Sequence, residues 1–208
     1  MKHFKGMDIP ETLAEIVDPI RSCLVVWDVQ LALTGRVFDK DSYLGRLGPF
    51  VSALRARMPV AYSRITPPAP AYQGAWNIYS QMRRMGVDDP AQLKPFLVPG
   101  TPAHAIAPEV APQEGDLVLD KTSPNLFLGT RFETFMRLRG VRTLIFTGIS
   151  TEVGIETSAR DASARGFFPV VVRDGVSSMD QEAHERSLIY LSRAAVVADM
   201  AEIVQALG

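Results

Sequence analysis

Six short apolar runs, spaced by longer polar or amphipathic stretches, constrain this chain more than any other feature. They are SCLVVWD (22–28), PVAYSR (59–64), DLVLDK (116–121), TLIFTGI (143–149), FFPVVVRD (167–174) and AVVADM (195–200). The first is apolar at nearly every position, as expected of a strand buried on both faces. The stretches between them read as helices. DSYLGRLGPFVSALRARM (41–58) places leucines and valines at helical spacing, although Gly45, Gly48 and Pro49 weaken it. RFETFMRLRG (131–140) closes on Gly140, a C-cap residue. TEVGIETSARDASARG (151–166) follows the fourth run, and SMDQEAHERSLIYLSRA (178–194) has Ser178 and Gln181 spaced for a capping box. A last helix, AEIVQALG, ends the chain.

Strands alternating with helices imply right-handed crossovers and a parallel sheet covered on both faces. The predicted fold is therefore α/β: a Rossmann-like, three-layer α/β/α arrangement around a six-stranded parallel sheet. With 208 residues there is enough chain for one substantial core and too little for two, so residues 1–208 are read as a single domain. Residues 65–100 interrupt the alternation: they are rich in proline and hold one or two short helices.

Composition narrows the partners. A net charge of −1 points to neither nucleic acid nor an anionic membrane. The first residues, MKHFKGMDIPETLAEIV, lack an apolar signal core and no run approaches membrane-spanning length, so a cytoplasmic location is the default expectation. One cysteine, Cys23, rules out an internal disulfide and a cysteine-rich metal site. His3, His104 and His184 are scattered without ligand spacing, so no metal is expected.

Parallel sheets gather functional residues at the C-terminal ends of their strands. That rule selects Asp28, Arg64, Lys121, the turn GISTEVG and Asp174. A carboxylate at Asp28 is partly desolvated, which raises its pKa and suits acid–base work; the alternative is an aspartate that caps loop amides. Lys121 either stabilises a neighbouring carboxylate or developing anion, or pairs with Asp120 at the surface. In the turn, Ser150 and Thr151 are good N-caps, and the first-turn amides of Val153 and Gly154 could polarise a substrate or an oxyanion. The alternative is an ordinary capped helix, packed close to the sheet by Ala159, Ala162 and Ala164. The turn is neither a Walker loop nor GxGxxG.

No nucleophile stands at the focus of that turn, only Gly154. Cys23 cannot substitute for one. It lies five residues before Asp28, roughly 16 Å along a strand, and odd spacing turns it to the opposite face. His184 shares a stripe with Leu188 and Leu191, as a packed and hydrogen-bonded core histidine would. His104 lies in a loop with no evident partner. Trp76, Tyr79 and Met82 either line a pocket as a lid or form a small satellite core.

Asp28 in VVWDVQ, Lys121 in LDKTSPNLFLGT, and TGISTEVGIETSARDASARGF together resemble the isochorismatase-like hydrolases, over about residues 20–200. Most members carry a cysteine in a pattern like TGxxTDxCVxxTARDA and attack amides through a thioester, with an aspartate and a lysine completing the triad. Aligned on Thr151, Glu152, Thr157, Ala159, Arg160 and Asp161, that cysteine falls on Gly154, and Asp28 and Lys121 match the other two members. The resemblance implies no cofactor, a non-proline cis peptide around Ile149–Ser150–Thr151, and a homo-oligomer, dimer or tetramer. Isochorismatase proper also has glycine at this position and cleaves a vinyl ether by protonation and water addition, with its aspartate as the proposed proton donor. Here the flanking stretches, KTSPNLF and STEVG, differ from that branch, so the resemblance does not extend to its substrate.

The expected function is thus hydrolysis of a small molecule without a cysteine nucleophile, vinyl-ether cleavage being favoured. Asp28 is the general acid/base, Lys121 holds and tunes it, and the amides of Val153 and Gly154 polarise substrate or water. Gly154 leaves room for either. Arg64, Trp76, Asn125 and Phe127 are expected to line the substrate pocket, Arg64 by pairing with a substrate carboxylate. Two alternatives stand beside this: a non-catalytic small-molecule-binding descendant, and an amidohydrolase that uses water directly.

Overall fold

The computed structural model describes all 208 residues. A small antiparallel hairpin, β1 (Lys2–Phe4) and β2 (Met7–Ile9), comes first, followed by the one-turn helix α1 (Leu13–Ile16). The main sheet begins with β3 (Ser22–Trp27), which leads through α2 (Leu31–Thr34) and α3 (Lys40–Arg55) to β4 (Val60–Ile65). A long connection carrying α4 (Ala75–Met85) reaches β5 (Leu117–Lys121). The chain then alternates: α5 (Phe132–Leu138), β6 (Thr143–Ile149), α6 (Glu156–Ala164), β7 (Phe168–Ser177), α7 (Gln181–Leu191), β8 (Val196–Ala198) and α8 (Met200–Leu207).

The six strands order as β5-β4-β3-β6-β7-β8, and every neighbouring pair is parallel. From β3 the chain builds outward to β5, then crosses back to β6 on the other side of β3. The order therefore reverses between β3 and β6, which opens a crevice beyond their C-terminal ends. Helices cover both faces, as six strands alternating with helices require. Side-chain alternation along β3 divides the core: Leu24 and Val26 join Tyr43, Leu47, Phe50 and Leu54 of α3 and Ile203 of α8. Cys23, Val25 and Trp27 face the other way, onto Phe132 and Met136 of α5, Ala159 and Ala162 of α6 and Leu191 of α7. Cys23 is fully buried, and desolvation pushes its thiol up to about 12, so it is a core residue.

Several local expectations are corrected. The N-terminal hairpin has no signal in the apolar pattern, because all its residues are exposed. β7 runs on to Ser177, and α7 begins at Gln181 rather than Ser178. Asp180 is its N-cap, accepting from the Ala183 amide at 3.0 Å, so Ser178 makes no capping box. Ser178 instead donates to Glu152 at 2.8 Å. Likewise Ser150 and Thr151 do not cap with their hydroxyls. Ser150 has no side-chain cap bond, and the Thr151 hydroxyl donates to the Ser177 carbonyl at 3.2 Å.

Candidate active site

Asp28 follows immediately on β3, with its backbone at φ +47°, a left-handed conformation that non-glycine residues seldom adopt. Its amide is held by the Ser63 carbonyl at 3.1 Å. The residue is 5% exposed and its carboxylate has two partners: Ser63 of β4 donates to Oδ1 at 2.7 Å, and the Lys121 ammonium donates to Oδ2 at 2.6 Å. Lys121 ends β5, two strands away, and is itself 2% exposed. Burial drives the Asp28 carboxyl above the usual carboxylate range and drives Lys121 below the usual ammonium range, while their attraction opposes both shifts. The proton between them is therefore less firmly placed on nitrogen than in a surface ion pair.

Gln30, fully buried two residues on, braces the strand end. Its amide nitrogen donates to the His104 carbonyl at 3.0 Å and its oxygen accepts from the Ile65 amide at 2.8 Å. His104 has a partner after all: its Nε2 meets the Thr66 hydroxyl at 2.8 Å. These residues fix β4 and the 102–106 segment around Asp28.

On the other side of β3, the Ile149–Ser150 peptide is cis, within the segment where one was expected. A single wide π turn, Thr151–Ile155, then leads into α6. The Gly154 and Ile155 amides both donate to the Ser150 carbonyl, at 3.1 and 3.2 Å. Gly154 therefore has no free amide for an oxyanion, a correction to its expected role. The Val153 amide lies outside these bonds, and the residue is 47% exposed. Thr151 also meets His184 Nδ1 at 2.8 Å, and His184 is 7% exposed, so this histidine is a buried anchor of α7 to the turn.

The expected room beside Gly154 is also absent, because the indole of Trp27 fills it. A Cβ built on Gly154 would lie 2.3 Å from Trp27 Nε1 and 2.6 Å from Cε2. The Lys121 ammonium sits over the same ring, 4.2 Å from its centroid. Nothing in an apolar run marks which ring of a buried strand will reach the turn that follows the neighbouring strand.

The expected pocket residues fare differently. Arg64 is bound to Asp120 through two hydrogen bonds of 2.7 and 2.8 Å, so its guanidinium is already paired with a carboxylate. Asn125 is spent locally: it donates to Asp161 at 2.8 Å and accepts from the Phe127 amide at 2.8 Å. Phe127 is buried against Phe132 and Phe167 in the core. Trp76 on α4 is 73% exposed and stacks on Tyr79 at 5.8 Å; α4 buries no residue, so the aromatic pair is neither a closed lid nor a satellite core. Asp174 accepts from Met200 and does not join the Asp28 cluster. Around the turn, Phe38 and Met179 are exposed apolar residues that the sequence did not single out: Phe38 packs on His184, and Met179 accepts from the Ser150 hydroxyl.

An isochorismatase domain model matches residues 22–202. A ureidoacrylate amidohydrolase, RutB, of Methylobacterium radiotolerans is 28% identical over 201 residues, 86% of this chain and 75% of that protein. The matching segments of RutB from Agrobacterium fabrum and Rhizobium rhizogenes are 95 residues long, under half the length of those proteins. The uncharacterized isochorismatase family protein YecD of Escherichia coli O157:H7 is 30% identical, covering 89% of this chain and 96% of its own. A cysteine hydrolase from Pseudomonas syringae pv. phaseolicola shares the fold with a TM-score of 0.78 at 23% identity, over 92% of this chain and 94% of that one. An isochorismatase family protein from Burkholderia thailandensis superposes at 0.71 and 25% identity, over 90% and 96%.

Proposed function

The chain belongs to the isochorismatase family and is a hydrolase, and on that premise we propose that it cleaves a small molecule by proton transfer and water addition, with no covalent intermediate. The observation that carries this reading is the buried Asp28 carboxyl, 2.6 Å from Lys121 and 2.7 Å from Ser63, beside a turn that has glycine at position 154 and no thiol. Asp28 is the general acid/base. Lys121 and Ser63 hold its two oxygens and fix the direction of its proton, and the Val153 amide is a further polar group of the turn. The exposed apolar residues Phe38, Val153 and Met179 suit a substrate with an apolar or alkenyl portion.

Vinyl-ether hydrolysis fits this equipment. Asp28 gives its proton to the terminal vinyl carbon and leaves an oxocarbenium ion. Water adds to the cationic carbon and returns a proton to the Asp28 carboxylate. The resulting hemiketal breaks its C–O bond to release a ketone and an alcohol, one water being consumed. An acid whose pKa is raised by burial is suited to the first step. Asp28→Asn keeps the size and loses the proton. Turnover of isochorismate or a simpler vinyl ether should fall at least about a hundredfold in this variant, with the circular dichroism spectrum unchanged. Undiminished turnover would remove Asp28 from the reaction.

The amidohydrolase relatives support a second reading, in which Asp28 is the base that draws a proton from water attacking an amide. The pH profile separates the two. Acid catalysis needs protonated Asp28 and declines as pH rises; base catalysis needs the carboxylate and grows. Silence across vinyl ethers and small amides alike, with a ligand still bound, would overturn both and favour a binding protein.

A further inference from the structure

We propose that Trp27 is a positioning residue of this site: its indole occupies the space that a side chain at position 154 would need, and its ring face holds the Lys121 ammonium against Asp28. Two independent geometric facts meet in one ring. Its Nε1 edge stands where a Cβ on Gly154 would fall, at 2.3 Å, closer than any real carbon contact, so this placement of the indole requires glycine at 154. Its face carries the Lys121 nitrogen 4.2 Å from the centroid. The Lys121 side chain is fully buried, so no water shell competes for that face. A desolvated ammonium over an indole is the strongest form of cation–π attraction.

The ring's neighbours explain how it is kept there. Trp27 is the last residue of β3, paired with Gly148 of β6. A Cβ on Gly148 would lie 2.0 Å from the Trp27 carbonyl oxygen, so the two strand ends approach as closely as backbone allows. Trp27 is 1% exposed and points into the layer of Phe146, Ile155 and Ala159. An ordinary core tryptophan needs this packing. It does not need a cation on its face or a glycine at its edge. Lys121 thus lies between two fixed partners, the Asp28 carboxylate and the indole, and the carboxylate–ammonium geometry is set without a third side chain from the turn. The inference concerns the resting protein and holds whichever bond is hydrolysed.

Two measurements test it. The first is a double-mutant cycle on stability in urea. Gly154→Ala should raise the unfolding constant by at least about tenfold when Trp27 is present, and by under about threefold in a Trp27→Leu background. An equal cost in both backgrounds would overturn the claim that the indole fills this space. Trp27→Phe, which withdraws the colliding edge but keeps a ring, serves if the leucine variant does not fold. The second replaces Trp27 by mono-, di- and trifluorotryptophan in a Trp76→Phe protein, where Trp27 is the one tryptophan left. Fluorine drains the ring face with little change of shape. The urea midpoint should fall stepwise with fluorine number while Lys121 is present, and stay level in an Asp28→Asn/Lys121→Met background. The same slope in both would show packing alone and overturn the positioning role.

Discussion

Among single residues, Asp28 and Lys121 carry the largest electrostatic stake, since both are almost wholly removed from water. Breaking a buried pair costs more than the pair contributes, because it leaves one charge stranded. Lys121→Met should therefore destabilise the protein by about 3–5 kcal/mol near neutral pH. Adding Asp28→Asn should recover much of that loss, because nothing charged is then left behind. The deficit of the single variant should shrink toward acid pH, where the unpaired carboxyl takes up a proton. Urea titrations of the two variants at two pH values decide this, and a deficit that is the same at both would contradict it. These two residues were legible in the sequence because a parallel sheet collects chemistry at its strand ends, and because Asp28, Lys121 and the turn follow a family pattern. Trp27 was not legible, since its encounter with Gly154 exists only once β3 and the turn are side by side. The partners of Arg64 and Asn125 were not legible for a related reason. A polar side chain near a strand end does not announce its partner, and here Asp120 and Asp161 had already claimed them.

The elements followed from the apolar runs: all six parallel strands lie where those runs stand, because burial on both sheet faces forces continuous apolar sequence. What the pattern could not give was the ends. α7 starts after Ser178 because that hydroxyl is drawn to Glu152 and Asp180 caps in its place. The turn before α6 is a wide π turn held at Ser150, where the sequence suggested an ordinary hydroxyl-capped start. The contact between these two elements has a pH signature. His184 of α7 is buried against Thr151, and desolvation lowers its pKa despite the nearby Asp39, Glu152 and Glu185. A free histidine titrates near about 6.5, so the unfolded chain takes up this proton first as pH falls. The contribution to stability is complete above that value and is lost as pH drops through it toward the lower value in the fold. His104 shifts in the same direction. Between about pH 7.5 and 5 the wild-type protein should therefore lose more melting temperature than His184→Gln, which can still bond Thr151 but does not titrate. An unchanged slope would mean that His184 is charged in the fold.

At the scale of the molecule, stability is unevenly shared. Both apolar layers are built on the same strands, since alternate residues of β3, β6 and β7 serve opposite faces, so loss of either layer exposes the sheet and unfolding should be cooperative there. Within the 65–100 connection only Leu97 is buried in the core. α4 has no buried residue, Trp76 and Tyr79 stand in solvent, and the helix ends on Gly86 with a left-handed cap. A helix of 11 residues without a packed face is marginal in water, because its nucleation cost is not repaid by burial. Local opening free energies should therefore differ sharply across one chain. In native-state hydrogen exchange, amides of α4 should exchange with little protection, while those of β3 and β6 should wait for global unfolding. Protection of α4 comparable to the sheet would mean that its exposed aromatic face is covered in solution, and dilution would then distinguish association with a second copy, which weakens, from folding back onto the same chain, which does not. Either way the Asp28 cluster belongs to the most protected part of the protein.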